Sequence, residues 1–185
     1  MMKNPANEYK RFQNTVAMTV TLITFGMLFG TLFLGYFLAR FNAPTWPPVE
    51  IENMPKLLPF LNTLVMALSS YTYFKMEREE DKRKTFWWAT FGLGILFLVL
   101  QWFLWNALAA SGILVSNGQV PSMVYGFTWL HAGHIVMALM TLLWLGRYIF
   151  RKPQELTDIK LVNVGKFWHF LGVVWLLMYL MLFVL

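Results

Sequence analysis

The longest uncharged window of the chain covers residues 85–146 and reads TFWWATFGLGILFLVLQWFLWNALAASGILVSNGQVPSMVYGFTWLHAGHIVMALMTLLWLG. It contains 62 residues without an aspartate, glutamate, lysine or arginine. A helix needs about 20 predominantly apolar residues to cross the hydrocarbon core of a bilayer. The window is therefore long enough for two membrane helices and the turn that joins them.

Three further windows lack charged residues, at 12–39, 57–74 and 167–185. Hydrophobic residues make up 58% of the chain and charged residues only 13%, whereas a soluble domain has about 25% charged residues. Long apolar segments satisfy their backbone hydrogen bonds in lipid by forming helices. The sequence therefore predicts an all-α polytopic membrane protein, a single domain over residues 1–185 that forms a five-helix transmembrane bundle. The predicted spans are about 14–41, 57–74, 85–108, 122–147 and 166–185.

The distribution of basic residues predicts the orientation of this bundle. If the N-terminus is cytoplasmic, 13 of the 15 lysines and arginines lie on the cytoplasmic side, and only Arg40 and Lys56 lie outside. Lysine and arginine are enriched in cytoplasmic loops, so the N-terminus is predicted inside and the C-terminus outside. The net charge of +6 then follows from membrane topology and does not indicate a nucleic-acid partner.

The predicted spans carry little that could catalyse a reaction or move an ion. The chain has no cysteine, which excludes disulfides, thiolate metal sites and iron–sulfur clusters. No acidic residue falls within a predicted span, whereas ion and proton pathways usually depend on intramembrane charge. Nucleotide, phosphate and hydrolase motifs are also absent from the sequence. These observations disfavour a transporter and predict no catalytic residues in this chain.

Three histidines are the remaining candidates for chemistry. His131 and His134 lie three residues apart on the fourth span and share a helix face, and His169 lies on the fifth span. A zinc site needs three or four ligands, and no carboxylate lies nearby. At about 1.5 Å per residue, His131 lies roughly 14 Å below the outer surface and His169 only about 5 Å above the inner one. This difference in depth disfavours a haem, so a metal or haem site, a structural polar contact and a lipid headgroup contact remain as alternatives.

Gln101 lies roughly 24 Å above the inner end of the third span. This depth is close to that of His131 on the fourth span. Buried polar side chains in a membrane need hydrogen bonds, and neighbouring helices supply them. We therefore expect Gln101 to lie within one hydrogen bond or one bridging water of His131 or His134. Asn106 and Thr128 are further candidate partners of the two histidines.

Six stretches in order along the chain resemble subunit III of the haem-copper cytochrome oxidases. They are LFGTLFLGYFLAR, WPP, LNTLVMALSS, LGILFLVLQWFLW, FTWLHAGHIVMAL and FWHFLGVVWLLMYLML. The resemblance covers all five predicted spans. The chain is similar to the short, five-helix form of the family. The resemblance implies the same orientation, with the N-terminus inside.

The resemblance implies a non-catalytic subunit of a terminal oxidase in the bacterial inner membrane. In this family, subunit III has no redox centre, packs against catalytic subunit I and other oxidase subunits, and holds phospholipids in a cleft. Haem and copper, oxygen reduction and proton pumping would belong to partner subunits of the respiratory chain, and membership of a respiratory supercomplex stays open. His131, His134, Trp168 and His169 match motif positions, and with Gln101 they are candidates for structural or lipid contact.

Three positions depart from the pattern of many family members. Phe25 and Leu104 stand where relatives have glutamate, and Gly172 stands where they have aspartate. These departures weaken any role in proton handling and favour a structural and lipid-binding one. The main alternative function is a haem b membrane anchor of a quinone-linked respiratory enzyme. Whether the electron donor is cytochrome c or quinol depends on other subunits.

Overall fold

The computed structural model describes residues 5–43, 54–151 and 158–184, and within these ranges it is entirely helical apart from short connections. The long helices are α1 (Pro5–Asn42), α2 (Leu57–Arg78), α3 (Arg83–Ala110), α4 (Gln119–Phe150) and α5 (Asp158–Tyr179). All five are long and apolar enough to cross a membrane, which confirms the predicted fold class. The WPP stretch at 46–48 and the loop at 152–157 lie outside the described residues.

The helices are longer than the predicted spans, because they also include charged residues that lie at the ends of the uncharged windows. Helix α2 runs through Lys75 to Arg78, and α3 already begins at Arg83. Basic residues are favourable in the last turn of a helix, where the backbone dipole is negative. The Lys75 ammonium also donates a 2.8 Å hydrogen bond to Glu79, which holds the pKa of that carboxyl below its usual value.

Helices α2, α3, α4 and α5 form the body of the bundle, and α1 packs on its side. Helix α2 contacts α3 and α5, and α4 also contacts α3 and α5, whereas α1 packs mainly on α4 and α5. Half of the apolar window of α4 and of α5 is buried, compared with 6% for α1. Helix α1 therefore presents most of its surface to its surroundings.

Indole hydrogen bonds link the helices of the body. Trp168 donates to the Ser69 hydroxyl at 3.1 Å, and Trp87 donates to the carbonyl of Leu142 at 2.9 Å. Trp175 donates to the Thr63 hydroxyl, also at 3.1 Å. A buried tryptophan stabilises a membrane bundle when its ring packs and its N–H finds a partner on another helix.

Candidate functional site

His131 lies at the centre of the bundle among aromatic rings from three other helices. Its side chain is fully buried, and its ring centroid lies 5.5 Å from Trp175, 5.7 Å from Phe97 and 6.2 Å from Phe29. Neither ring nitrogen has a hydrogen-bond partner among the described residues. The surroundings of His131 are those of a packed core residue.

His134 faces α1 and has a different environment. Its Nδ1 donates a 2.7 Å hydrogen bond to the carbonyl of Leu130, one turn earlier on the same helix. Its ring packs edge-on against Phe25 at 4.6 Å and lies tilted against Phe29 at 5.4 Å. This hydrogen bond stays within α4, and the bond of His134 to a neighbouring helix or a lipid headgroup remains a prediction.

His169 and Trp168 face α2, away from the histidine pair. The His169 ring lies half-buried against Tyr73 at 5.7 Å, and the Trp168 ring stacks on the same tyrosine at 6.4 Å. Among the described residues, no group of three or more histidine, cysteine, aspartate or glutamate side chains comes close enough to hold a metal ion. The described histidines therefore do not come together with other ligand side chains in one metal-binding cluster.

Gln101 is also buried, but its hydrogen-bond partner lies on α2, a helix on which no partner for Gln101 was predicted. Its Oε1 accepts a 3.2 Å hydrogen bond from Asn62 on α2. A direct hydrogen bond between Gln101 and His131 is not formed in the described structure, where Gln101 Nε2 and both His131 nitrogens lack partners. A bridging water between Gln101 and either histidine stays a prediction. Thr128 likewise accepts from Trp105 at 3.0 Å instead of binding a histidine, and Asn106 is exposed.

Asn62, Thr63 and Ser69 on α2 form hydrogen bonds to other helices that were not predicted from the sequence. Asn62 and Ser69 are fully buried, and Thr63 and Ser69 each accept an indole hydrogen bond from α5. A signal for Asn62 and Ser69 was present, because Asn62, Met66, Ser69 and Tyr73 repeat at spacings of three and four residues. That spacing places them on one helix face.

The three departures from the family pattern lie in three different environments. Phe25 packs directly on His134, and Leu104 is fully buried on α3. Gly172 borders a cavity between α2 and α5, where a Cβ atom would lie 3.0 Å from the Ser70 hydroxyl. Carboxylates at these positions would thus meet an imidazole, the bundle core and a hydroxyl, respectively.

Comparison with known proteins gives one consistent family. Residues 10–185 match the family described as cytochrome c oxidase subunit III. The chain is 26% identical over 190 residues to cytochrome c oxidase subunit 3 of Thermostichus vulcanus, covering 97% of this chain and 90% of the relative. It is 29% identical over 168 residues to the probable cytochrome c oxidase subunit 3 of Mycobacterium tuberculosis, covering 85% and 80% of the two chains.

A third relative has a different length. The heme-copper oxidase subunit I+III of Aeropyrum pernix is 25% identical over an alignment of 180 residues, and the alignment covers 88% of this chain but only 22% of that protein. The similarity therefore falls within one part of a much longer polypeptide.

Proposed function

The chain belongs to the cytochrome c oxidase subunit III family, and from that premise we propose that it is a non-catalytic subunit of a haem-copper terminal oxidase. The observation that carries the proposal is the extent of the match, which includes nearly the whole bundle from residue 10 to residue 185. The family supports this role and not that of a haem b anchor. Oxygen reduction and proton pumping belong to partner subunits that hold haem and copper.

The interior of the bundle supports a structural role for this chain. Its buried polar residues are used to join helices, as in the pairs Asn62–Gln101 and Ser69–Trp168. Such contacts between membrane helices are worth about 0.6–2 kcal/mol each. The chain thereby forms a hydrogen-bonded helix bundle that can stabilise the catalytic subunit without a redox centre of its own.

The catalytic subunit is the partner that we propose for this body. The relative from Aeropyrum pernix is named as subunits I and III together, which supports subunit I as the partner of this chain. Helix α1 has ample free surface for a neighbour, because only 6% of its apolar window is buried within the chain.

The proposed association is tested by affinity purification of the tagged chain from its native membrane. We expect a haem- and copper-containing oxidase subunit to co-purify at a ratio of one to one. The visible spectrum of the isolated chain, recorded alongside, should show no haem. Purification of the intact chain without any oxidase subunit, or with a haem of its own, would contradict the proposal.

We further propose that the chain spans a bacterial inner membrane with its N-terminus in the cytoplasm. The 13-to-2 division of basic residues supports this orientation. The exposed residues Asp81 and Asn117 flank α3, whose 28 residues correspond to about 42 Å of helix. They should therefore lie on opposite sides of the membrane.

Single-cysteine labelling tests this orientation, because the chain has no cysteine of its own. An impermeant maleimide should label Asp81→Cys only from the cytoplasmic side and Asn117→Cys only from the outside. Gln154→Cys, at a position outside the described residues, should behave like Asp81→Cys. Labelling of Asn117→Cys from the cytoplasm would reverse the proposed topology.

A further inference from the structure

The loop that joins α3 to α4, residues 111–118, contains the only asparagine of the sequence that is followed by glycine, at Asn117 and Gly118. We call it the α3–α4 loop. Both residues are exposed, and Asn117 ends a short 3₁₀ helix immediately before α4. Exposed loops with small and polar residues are the parts of a fold that open locally most readily. The side-chain amide of Asn117 is therefore accessible to a reaction that needs water and local movement.

The Asn117 side chain is held on two sides by atoms of its own loop. Its Nδ2 donates a 2.5 Å hydrogen bond to the carbonyl of Gly112. Its Oδ1 accepts a 3.4 Å hydrogen bond from the hydroxyl of Ser116. The amide nitrogen of Asn117 thus ties the end of the α3–α4 loop that precedes α4 to the end that follows α3.

The residue after Asn117 has a backbone nitrogen that no side chain shields. Gly118 has φ 153°, a backbone conformation that favours glycine because glycine has no Cβ atom. Every other asparagine of the sequence precedes a residue with a side chain. Such a side chain crowds the approach of the following backbone nitrogen to the asparagine Cγ atom. Asn117 is therefore the asparagine at which this approach is least hindered.

We propose that Asn117 is a site of spontaneous deamidation through a cyclic imide. The Gly118 nitrogen attacks Cγ of Asn117, so that a new C–N bond forms and the bond from Cγ to Nδ2 breaks. Ammonia leaves with the proton that the Gly118 nitrogen gives up, and no oxidant or reductant is needed. Water then opens the five-membered ring at either carbonyl, which leaves aspartate or isoaspartate at position 117. The reaction is intramolecular, because the nucleophile and the electrophile belong to neighbouring residues.

Deamidation would break the hydrogen bond that ties the two ends of the α3–α4 loop. An ionised carboxylate has only acceptor atoms, so position 117 could no longer donate to the Gly112 carbonyl 2.5 Å away. The two oxygens would repel each other instead. The 2.9 Å hydrogen bond from the Tyr125 hydroxyl to the carbonyl of Ile113 does not involve this amide. We therefore expect the loop to open locally while α3 and α4 stay in place.

The product also carries a new negative charge on the outer loop. Residues 85–146 contain no charged side chain, and one added carboxylate lowers the net charge of the chain from +6 to +5. The charge lies just before the first turn of α4, where the helix dipole favours a negative group. The modified chain should therefore stay folded and accumulate as a more acidic form.

The reaction is tested on the full chain in its native membranes, so the result does not depend on the proposed function. Membranes are incubated at mildly alkaline pH, which favours attack by the Gly118 nitrogen. The digested chain is then analysed by mass spectrometry that separates aspartate from isoaspartate. We expect both products at position 117 and neither at Asn106 or Asn163. Asn106 is exposed but precedes alanine, and Asn163 donates to a carbonyl at 3.3 Å but precedes valine.

A synthetic peptide of residues 111–122 in the same buffer is the reference for the unfolded loop. An intact Asn117 in the chain, under conditions in which the peptide reacts, would show that the fold protects the amide and would overturn the proposal. Equal modification of Asn106, Asn117 and Asn163 would also overturn it, since the glycine would then have no effect. Aspartate without isoaspartate would exclude the cyclic imide, because direct hydrolysis of the amide yields aspartate alone.

The effect on the α3–α4 loop is tested with Asn117→Asp, and Gln119→Glu is the matched control. Both variants replace an exposed side-chain amide by a carboxylate, but only the Asn117 amide donates to the Gly112 carbonyl. In permeabilised membranes, limited proteolysis should cleave the loop faster in Asn117→Asp and at the unmodified rate in Gln119→Glu. Equal cleavage of the two variants would contradict the proposed opening of the loop.

Discussion

Replacement of Gly146 by alanine should destabilise the chain by about 1–3 kcal/mol, the usual cost of overpacking a core. A Cβ atom at Gly146 would lie 2.7 Å from Trp87 Cζ2 and 2.9 Å from Trp87 Cε2. The indole cannot easily move away, because it donates to the carbonyl of Leu142 and stacks on Phe91 at 5.2 Å. The substitution must therefore break that hydrogen bond or separate α3 from α4.

Gly133→Ala on the same helix is the matched control for this prediction. A Cβ at Gly133 meets no atom of another helix within 4 Å, and alanine is favoured over glycine in a helix by up to about 1 kcal/mol. Gly133→Ala should therefore be neutral or stabilising, and the difference between the two variants isolates the clash with Trp87. The measurement is thermal unfolding of the purified complex. Its readout is the fraction of this chain that remains in the complex after heating.

A double-mutant cycle with Trp87→Phe identifies the clash as the cause. The smaller ring makes space, so Gly146→Ala should cost less in the Trp87→Phe background than in the unmodified chain. Such coupling is expected only for residues in direct contact. Equal stability of Gly146→Ala and Gly133→Ala would show that α3 and α4 do not approach each other as described.

The five helices could be predicted from the sequence because lipid imposes a simple rule on it. Each uncharged window had to be helical, and the windows at 12–39, 57–74, 85–146 and 167–185 account for the five observed helices. The helix ends could not be predicted in the same way. Charged residues mark the ends of the uncharged windows, whereas α2 continues past Lys75 to Arg78 and α3 already begins at Arg83.

The neighbours of Gln101 could not be predicted because depth gives only one of the coordinates of a residue. Gln101 and His131 do occur on contacting helices, α3 and α4. The direction in which Gln101 points depends on how α3 is rotated, and α3 has its most extensive contact with α2. The amide therefore meets Asn62, while Phe97, one turn away on α3, packs against His131.

Replacement of both His131 and His134 by alanine should loosen this chain from the oxidase and leave the metals of the oxidase unchanged. The two imidazoles fill space between α1, α3, α4 and α5. Truncation of a buried aromatic side chain to alanine typically costs about 3–5 kcal/mol through the cavity that remains. The reduced-minus-oxidised spectrum and the metal content per catalytic subunit should match the unmodified complex, while less of this chain is retained.

The variant His131→Phe separates packing from ligation, since it keeps a ring in the core and removes both nitrogens. Those nitrogens have no hydrogen-bond partner among the described residues, and replacing an unpaired buried polar group by an apolar one of similar shape is close to neutral or stabilising. We therefore expect His131→Phe to retain the chain in the complex as well as the unmodified protein does. A ligand role predicts the opposite, because phenylalanine cannot bind iron, copper or zinc. Loss of a haem band or of a metal in His131→Phe, with the chain still attached, would show that the histidine is a ligand and that the packing interpretation is wrong.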